Sequence, residues 1–315
     1  MKILVALGGN ALLRRGETLS AYAQQKNITS AAEMLACEIL AGHQLIITHG
    51  NGPQVGLLAL QSAAGPLASV MPLDVLGAES EGWIGYSIEL ALRNALPPGA
   101  NMVAMLTQTL VDHDDVAFQH PSKFVGPIYD KAEASNLAYQ NHWTIGPDGT
   151  SWRRVVASPK PIAILELESI RLLVQAGVTV ICGGGGGIPI VRQANGTSSG
   201  IEAVIDKDTT SALLAEQLDA DLFIMLTDVP GVYRDYGIKS QCMIKVTDAE
   251  TMLTQLSNFS AGSMAPKIAA ACSFVQNTKK LSIIGAIPDL HEIIAGTAGT
   301  TITPNTTKHM FARPG

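Results

Sequence analysis

What this 315-residue sequence lacks already narrows its function. Basic residues are not in excess: 21 Lys and Arg stand against 27 Asp and Glu, a formal net charge of −6, so there is no electrostatic footprint for nucleic acid or an anionic membrane surface. Only four cysteines occur, Cys37, Cys182, Cys242 and Cys272, widely spaced and without a C-x-x-C pair. That argues against a zinc knuckle or a dense disulfide framework and fits reduced, partly buried thiols in a cytoplasmic protein. Long apolar runs are missing too. The opening M-K-I-L-V-A-L is broken by Gly8, Gly9 and Asn10, too soon for a secretory signal or a membrane span. Familiar catalytic motifs are equally scarce. No glycine precedes a lysine, so G-x-x-x-x-G-K-[ST] cannot occur, and no strand-following G-x-G-x-x-G opens a helix in the N-terminal half. H-E-x-x-H and the kinase H-R-D loop are absent as well, and no Ser-His-Asp arrangement is marked.

Glycine, by contrast, is plentiful and oddly placed. The stretch V-I-C-G-G-G-G-G-I-P-I-V at 180–191 ends an apolar run with five glycines. Each costs conformational entropy on folding and brings no side chain to a core. A permissive linker would need one or two; a surface on which backbone N–H groups approach a large anion would use more.

Short β-rich runs at 3–7, 45–48, 102–107, 179–182, 222–226 and 281–284 alternate with helical patterns at 24–41, after 54, and at 166–176, 210–218 and 266–276. This alternation predicts an α/β protein, a three-layer α/β/α sandwich with an open, mainly parallel sheet, whose ligands sit beyond the carboxyl ends of the strands. Residues 112–160 break the rhythm: polar, aromatic and turn-rich, with a hairpin expected around Asp148-Gly149, they read as a small protruding subdomain. The expected organisation is one domain over 1–315, with an N-terminal lobe to about 205 and a C-terminal lobe from about 206, sharing one sheet.

Three predicted strands run into glycine: Gly8-Gly9-Asn10, Gly50-Asn51-Gly52, and the five-glycine run. In a parallel sheet these loops share one edge, and their unpaired N–H groups, with helix N-termini, make an anion site. Lys207, between Asp206 and Asp208, and Lys267, ending G-S-M-A-P-K, both stand at helix starts. Lysine prefers the opposite end of a helix, so a negative ligand is the expected compensation. Lys123, in the stiff P-S-K-F-V-G-P, is a third candidate cation. Phosphoryl transfer needs positioned charge more than covalent help. With no general base marked by a motif, an acceptor that is already anionic is favoured over a hydroxyl.

At this point the residues resemble a known family. The blocks A-L-G-G-N-A-L (6–12), T-H-G-N-G-P-Q-V-G (48–56), R-R-V-V-A-S-P-K-P (153–161), G-G-G-G-I-P (184–189), E-A-V-I-D-K-D (202–208), L-T-D-V (226–229) and G-S-M-A-P-K (262–267) are similar, in order, to the signature set of the carbamate kinases. The resemblance implies the amino acid kinase fold, a homodimer, and reversible transfer between ATP and carbamate, giving ADP and carbamoyl phosphate with Mg²⁺, run toward ATP in arginine or allantoin catabolism. It further implies that Gly8, Gly9, Asn10, Gly50, Asn51 and Gly52 hold the phosphoryl group and carbamate. Lys123, Lys207 and Lys267 would neutralise phosphates, Asp206 would hold the lysines, and the nucleotide would lie near Asp228, Val229, Tyr233 and Met264. The protein ligands of Mg²⁺ stay unassigned. Related kinases carry a lysine two residues before the first glycine, where this chain has Ala6; Lys123 is the expected substitute. Phe124 and Ala265 depart from the P-T-K-P-I-G and G-S-M-G-P-K of many members. Another small-carboxylate kinase, or a nucleotide-binding subunit without turnover, remain the alternatives.

Overall fold

The computed structural model describes residues 1–12, 17, 20–65, 70–260 and 262–304, with Asn10 and Ala11 described by backbone alone. The chain begins with β1 (Lys2–Leu7), α1 (Gly9–Leu12), α2 (Ala21–Leu40), β2 (Gln44–His49), α3 (Gly52–Ala63), α4 (Leu73–Ala95) and β3 (Met102–Ala104). β4 (Gln108–Val111) leads out to a protrusion of β5 (Lys123–Tyr129), α5 (Lys131–Asn141), β6 (Ile145–Asp148) and β7 (Ser151–Val156), and β8 (Pro161–Ile164) leads back. Then come α6 (Leu167–Gln175), β9 (Thr179–Ile181), β10 (Ile188–Arg192), β11 (Ser198–Gly200), α7 (Lys207–Gln217) and β12 (Leu222–Thr227). The last part holds β13 (Val232–Arg234), β14 (Cys242–Ile244), β15 (Val246–Asp248), α8 (Ala249–Thr254), α9 (Met264–Thr278), β16 (Leu281–Ala286), α10 (Leu290–Ile294) and β17 (Thr300–Thr303).

One eight-stranded sheet, ordered β15-β17-β16-β12-β1-β2-β9-β3, runs through both halves of the chain, and only the β16–β17 pairing is antiparallel. Its central strands are unbroken apolar runs because both faces are covered. Alternate residues feed two cores. Leu4, Ala6, Ile46, Val180, Phe223 and Met225 face one core with α7 and α9 residues such as Leu214 and Phe274. Ile3, Val5, Leu7, Ile47 and Ile224 face the other with Ile28 and Leu35 of α2 and Ile84 and Ile88 of α4.

Two elements differ from expectation. The strand expected at 102–107 ends at Ala104, and a separate strand, β4, starts at Gln108 and joins a second sheet ordered β11-β10-β4-β8. The turn between them is pinned where the Met105 N–H meets the Ile181 carbonyl and the Thr107 N–H meets Glu81. The 23-residue helix α4 was not anticipated, although its buried Leu73, Leu76, Ile84, Ile88 and Leu92 recur at helical spacing.

The protrusion carries the expected hairpin, with Asp148 opposite Ser151 and Gly149 at φ +63°. It seats on the body backbone to backbone: a Cβ on Gly56 of α3 would lie 2.1 Å from Cα of Gly126 in β5. Any side chain at 56 must therefore push β5, and Lys123 with it, away from the body. Phe124 stays within the protrusion, where the Arg153 guanidinium lies 5.7 Å from its ring centre.

Candidate active site

The register of the sheet places Leu7, His49 and Leu226 side by side at the carboxyl ends of β1, β2 and β12. The loops that follow therefore emerge together. A Cβ on Gly50 would meet the Gly9 nitrogen at 3.0 Å and the Lys207 Cε at 3.3 Å, so the first two glycine loops touch and the stem of Lys207 lies against them. Gly8 donates to the Leu226 carbonyl at 2.8 Å, which ties this point to β12. Gly52 opens α3, its N–H end facing the same edge. The expected role of the Asn10 side chain lies outside the described residues.

The lysines converge on carboxylates. Lys207 Nζ is 2.6 Å from Asp208 Oδ1, and Lys267 Nζ is 2.8 Å from Asp208 Oδ2. Lys123 Nζ reaches across from the protrusion to Asp206 Oδ2 at 2.5 Å. Asp206 does not hold all three, as the resemblance implied. Its second oxygen caps α7 by accepting the N–H groups of Asp208 and Thr209, which leaves one oxygen for one lysine. Asp208, given no role in the sequence reading, is the shared counter-ion. It also supplies, from within the protein, part of the compensation that the two helix-start lysines require.

Burial decides the electrostatics. It works against the charge of Asp208, yet Lys207 and Lys267 hold that carboxyl well below the usual carboxylate range. Burial brings the Lys207 ammonium down to about 8 despite Asp208. For Lys267 burial also acts downward, but Asp208 outweighs it and the pKa is raised. Asp206 is held low because Lys123 outweighs its desolvation. Three ammonium groups facing two carboxylates leave one positive charge in excess. This is a site for an anion.

The five-glycine run is a correction. The N–H groups of Gly183 and Gly184 go to Thr107 Oγ1 and Glu81, and those of Gly186 and Gly187 go to carbonyls within the run. Four of the five are therefore unavailable to an anion. The glycines are needed for backbone shape and packing instead. Gly183, Gly185, Gly186 and Gly187 have positive φ, and a Cβ on Gly184 would lie 2.4 Å from the His49 ring. Beneath them burial keeps His49 neutral, its pKa lowered to about 4, and pushes Glu81 up to about 8. Neither was singled out in the sequence; a histidine before glycine and a glutamate inside an apolar helix face carry no motif.

The expected nucleotide residues lie on the C-terminal side of this edge. Asp228 and Val229 follow β12 and so adjoin Gly8, while Tyr233 sits on β13 with its ring 5.8 Å from that of Tyr236. Met264 opens α9, one turn before Lys267, and packs on the first core.

A family model described as the amino acid kinase family matches residues 1–285. The chain belongs to that family. It is 48% identical to the carbamate kinase of Haemophilus influenzae, over 97% of this chain and 98% of the relative, and 49% identical to that of Rhizobium meliloti, over 96% and 93%. Among solved structures, carbamate kinase from Giardia lamblia bound to citric acid is 40% identical, with a TM-score of 0.89 covering 96% of this chain and 98% of that one. The same enzyme bound to AMP-PNP gives a TM-score of 0.86. Within the family, the chain falls among the carbamate kinases.

Lys207 carries its charge only below its pKa, so anion affinity should fall as pH rises through about 8. Calorimetric titration with AMP-PNP at pH 7, 8 and 9 is expected to show up to about tenfold weaker binding per unit on the alkaline side. A flat profile would contradict the assignment.

Proposed function

We propose that the chain catalyses reversible phosphoryl transfer between ATP and carbamate, giving ADP and carbamoyl phosphate. The observation that carries the reading is the Lys207–Asp208–Lys267 cluster set against the Gly9–Gly50 contact. A migrating phosphoryl group spreads charge over its oxygens, and preorganised ammonium groups at its periphery lower the barrier without a covalent step. Carbamate is already ionised, so no base has to take a proton from it. His49, the histidine beside the site, fits this: it is sealed and neutral, with Nδ1 turned to the Gly50 carbonyl.

Lys123 supplies the third charge from the protrusion, so seating of the protrusion completes the site. Its partner Asp206 is the group that incoming phosphates must displace or share. Mg²⁺ is best written as part of the nucleotide substrate. Among the described residues no group of three or more acidic, histidine or cysteine side chains is placed to hold a metal, and Asp206 and Asp208 are already engaged by lysines. Mg²⁺ commonly keeps its waters and binds through substrate phosphates. Carbamoyl phosphate is a mixed anhydride and a strong phosphoryl donor, which favours the ATP-forming direction and a catabolic role. A cytoplasmic location agrees with four free thiols, two of them exposed. No described helix is long and apolar enough to cross a membrane.

A coupled assay with Mg-ADP tests the activity. Rapid ATP formation from carbamoyl phosphate is expected; formation only from another acyl phosphate would point to a different small-acid kinase, and binding without turnover to a regulatory subunit.

The chain should also pair with a second copy. Tyr86 and Leu90, one turn apart on α4, are exposed beside Leu106 at the β3 edge of the main sheet, lining a groove of about 310 Å³. Sedimentation equilibrium should give twice 33.1 kDa, and Leu90→Glu should shift the mass toward the monomer; a wild-type mass of one chain would refute pairing.

A further inference from the structure

Asn51 occupies the N-cap of α3 without capping it, for its side chain bonds none of the free N–H groups of the helix. Asparagine is favoured at that position for making such a bond, so the amide has been diverted. Its Nδ2 donates to Ser80 Oγ at 2.9 Å, and Ser80 Oγ donates onward to the Gly77 carbonyl at 2.8 Å. The single hydroxyl proton of Ser80 is spent on Gly77. Toward Asn51 its oxygen can only accept, which turns the NH₂ end of the amide to Ser80 and leaves Oδ1 facing the other way.

The surroundings hold that orientation. Ser80 is fully buried, and the Asn51 amide packs on Gly185, where a Cβ would fall 2.1 Å from Nδ2 and 2.5 Å from Oδ1. Gly185 is thus the glycine of the five that makes room for the amide. Oδ1 accepts from no described residue, and it is not one of the sealed, unpaired atoms of the interior. It is a fixed acceptor in the residue after Gly50, and unlike the Asp206 and Asp208 carboxylates it is not engaged by a lysine.

We propose that Asn51 Oδ1 accepts an N–H of the substrate's amino group, and that Ser80 is the positioning residue that keeps the amide turned to do so. The inference rests on the carbamate reading above. Carbamate differs from acetate in presenting NH₂ where acetate presents CH₃. Amide N–H and ammonium groups serve the carboxylate oxygens of either, but only carbamate satisfies Oδ1. A methyl group there leaves a desolvated acceptor unpaired, and sites built to hydrogen-bond an N–H reject analogues that lack it far more strongly than size alone allows.

The test compares kcat/KM for ATP formation from carbamoyl phosphate and from acetyl phosphate in wild type, Asn51→Ala and Ser80→Ala, each checked for a cooperative melt. In both variants the preference for carbamoyl phosphate is expected to fall, by about tenfold or more for Asn51→Ala and by less for Ser80→Ala, where the acceptor remains but loses its anchor. Ser80→Cys, near in shape but a weak donor and acceptor, should lie between Ser80→Ala and wild type. Equal losses on both donors, or no loss, would overturn the proposal. A wild type that makes no ATP from carbamoyl phosphate is a separate outcome, and it removes the functional reading itself.

Discussion

Two ammonium groups sharing one buried carboxylate is the constraint from which the rest of the site follows. Lys207 and Lys267 come from different helices, α7 and α9, and their like charges would drive the helix starts apart. Asp208, between them at 2.6 and 2.8 Å, converts that repulsion into a clamp. Removing one member of such a buried set leaves an uncompensated charge, commonly a loss of about 3–5 kcal/mol. The clamp is deliberately incomplete in charge. Its remaining positive charge lies where the Lys207 stem meets the Gly9 and Gly50 loops.

The sheet explains why that place exists. β1 lies between β12 of the C-terminal half and β2 of the N-terminal half, so the loops after all three open at a common edge. Glycine does two different jobs there. In the Gly9 and Gly50 loops it allows two backbones and a lysine stem to meet within about van der Waals distance. In the run at 183–187 it lets a buried turn take up positive φ around His49, Asn51 and Glu81. The protrusion then adds Lys123 through the glycine-to-glycine seat of Gly56 and Gly126.

Much of this was legible in the sequence, and what was not has physical reasons. Apolar runs such as 3–7 and 222–226 announce buried parallel strands, and glycine after a strand announces the ligand edge. Helix α4 was overlooked although its periodicity was present, because small and polar residues interrupt the stripe. The five glycines were read as N–H donors because sequence cannot tell an available N–H from one already spent on Thr107 or Glu81. The role given to Asp206 belongs partly to Asp208 for a similar reason. Two aspartates flanking one lysine are equivalent on paper, and only the start of α7 separates them, making Asp206 the cap and sending Asp208 inward.

The most direct measurement is the turnover of Asp208→Asn, once a cooperative melt shows it folded, in ATP formation from carbamoyl phosphate. Asparagine keeps the shape but removes the charge that holds Lys207 and Lys267 together. A fall of about 100-fold or more is expected. Turnover within about threefold of wild type, in a folded protein, would show that the cations act without their shared carboxylate and would contradict the account.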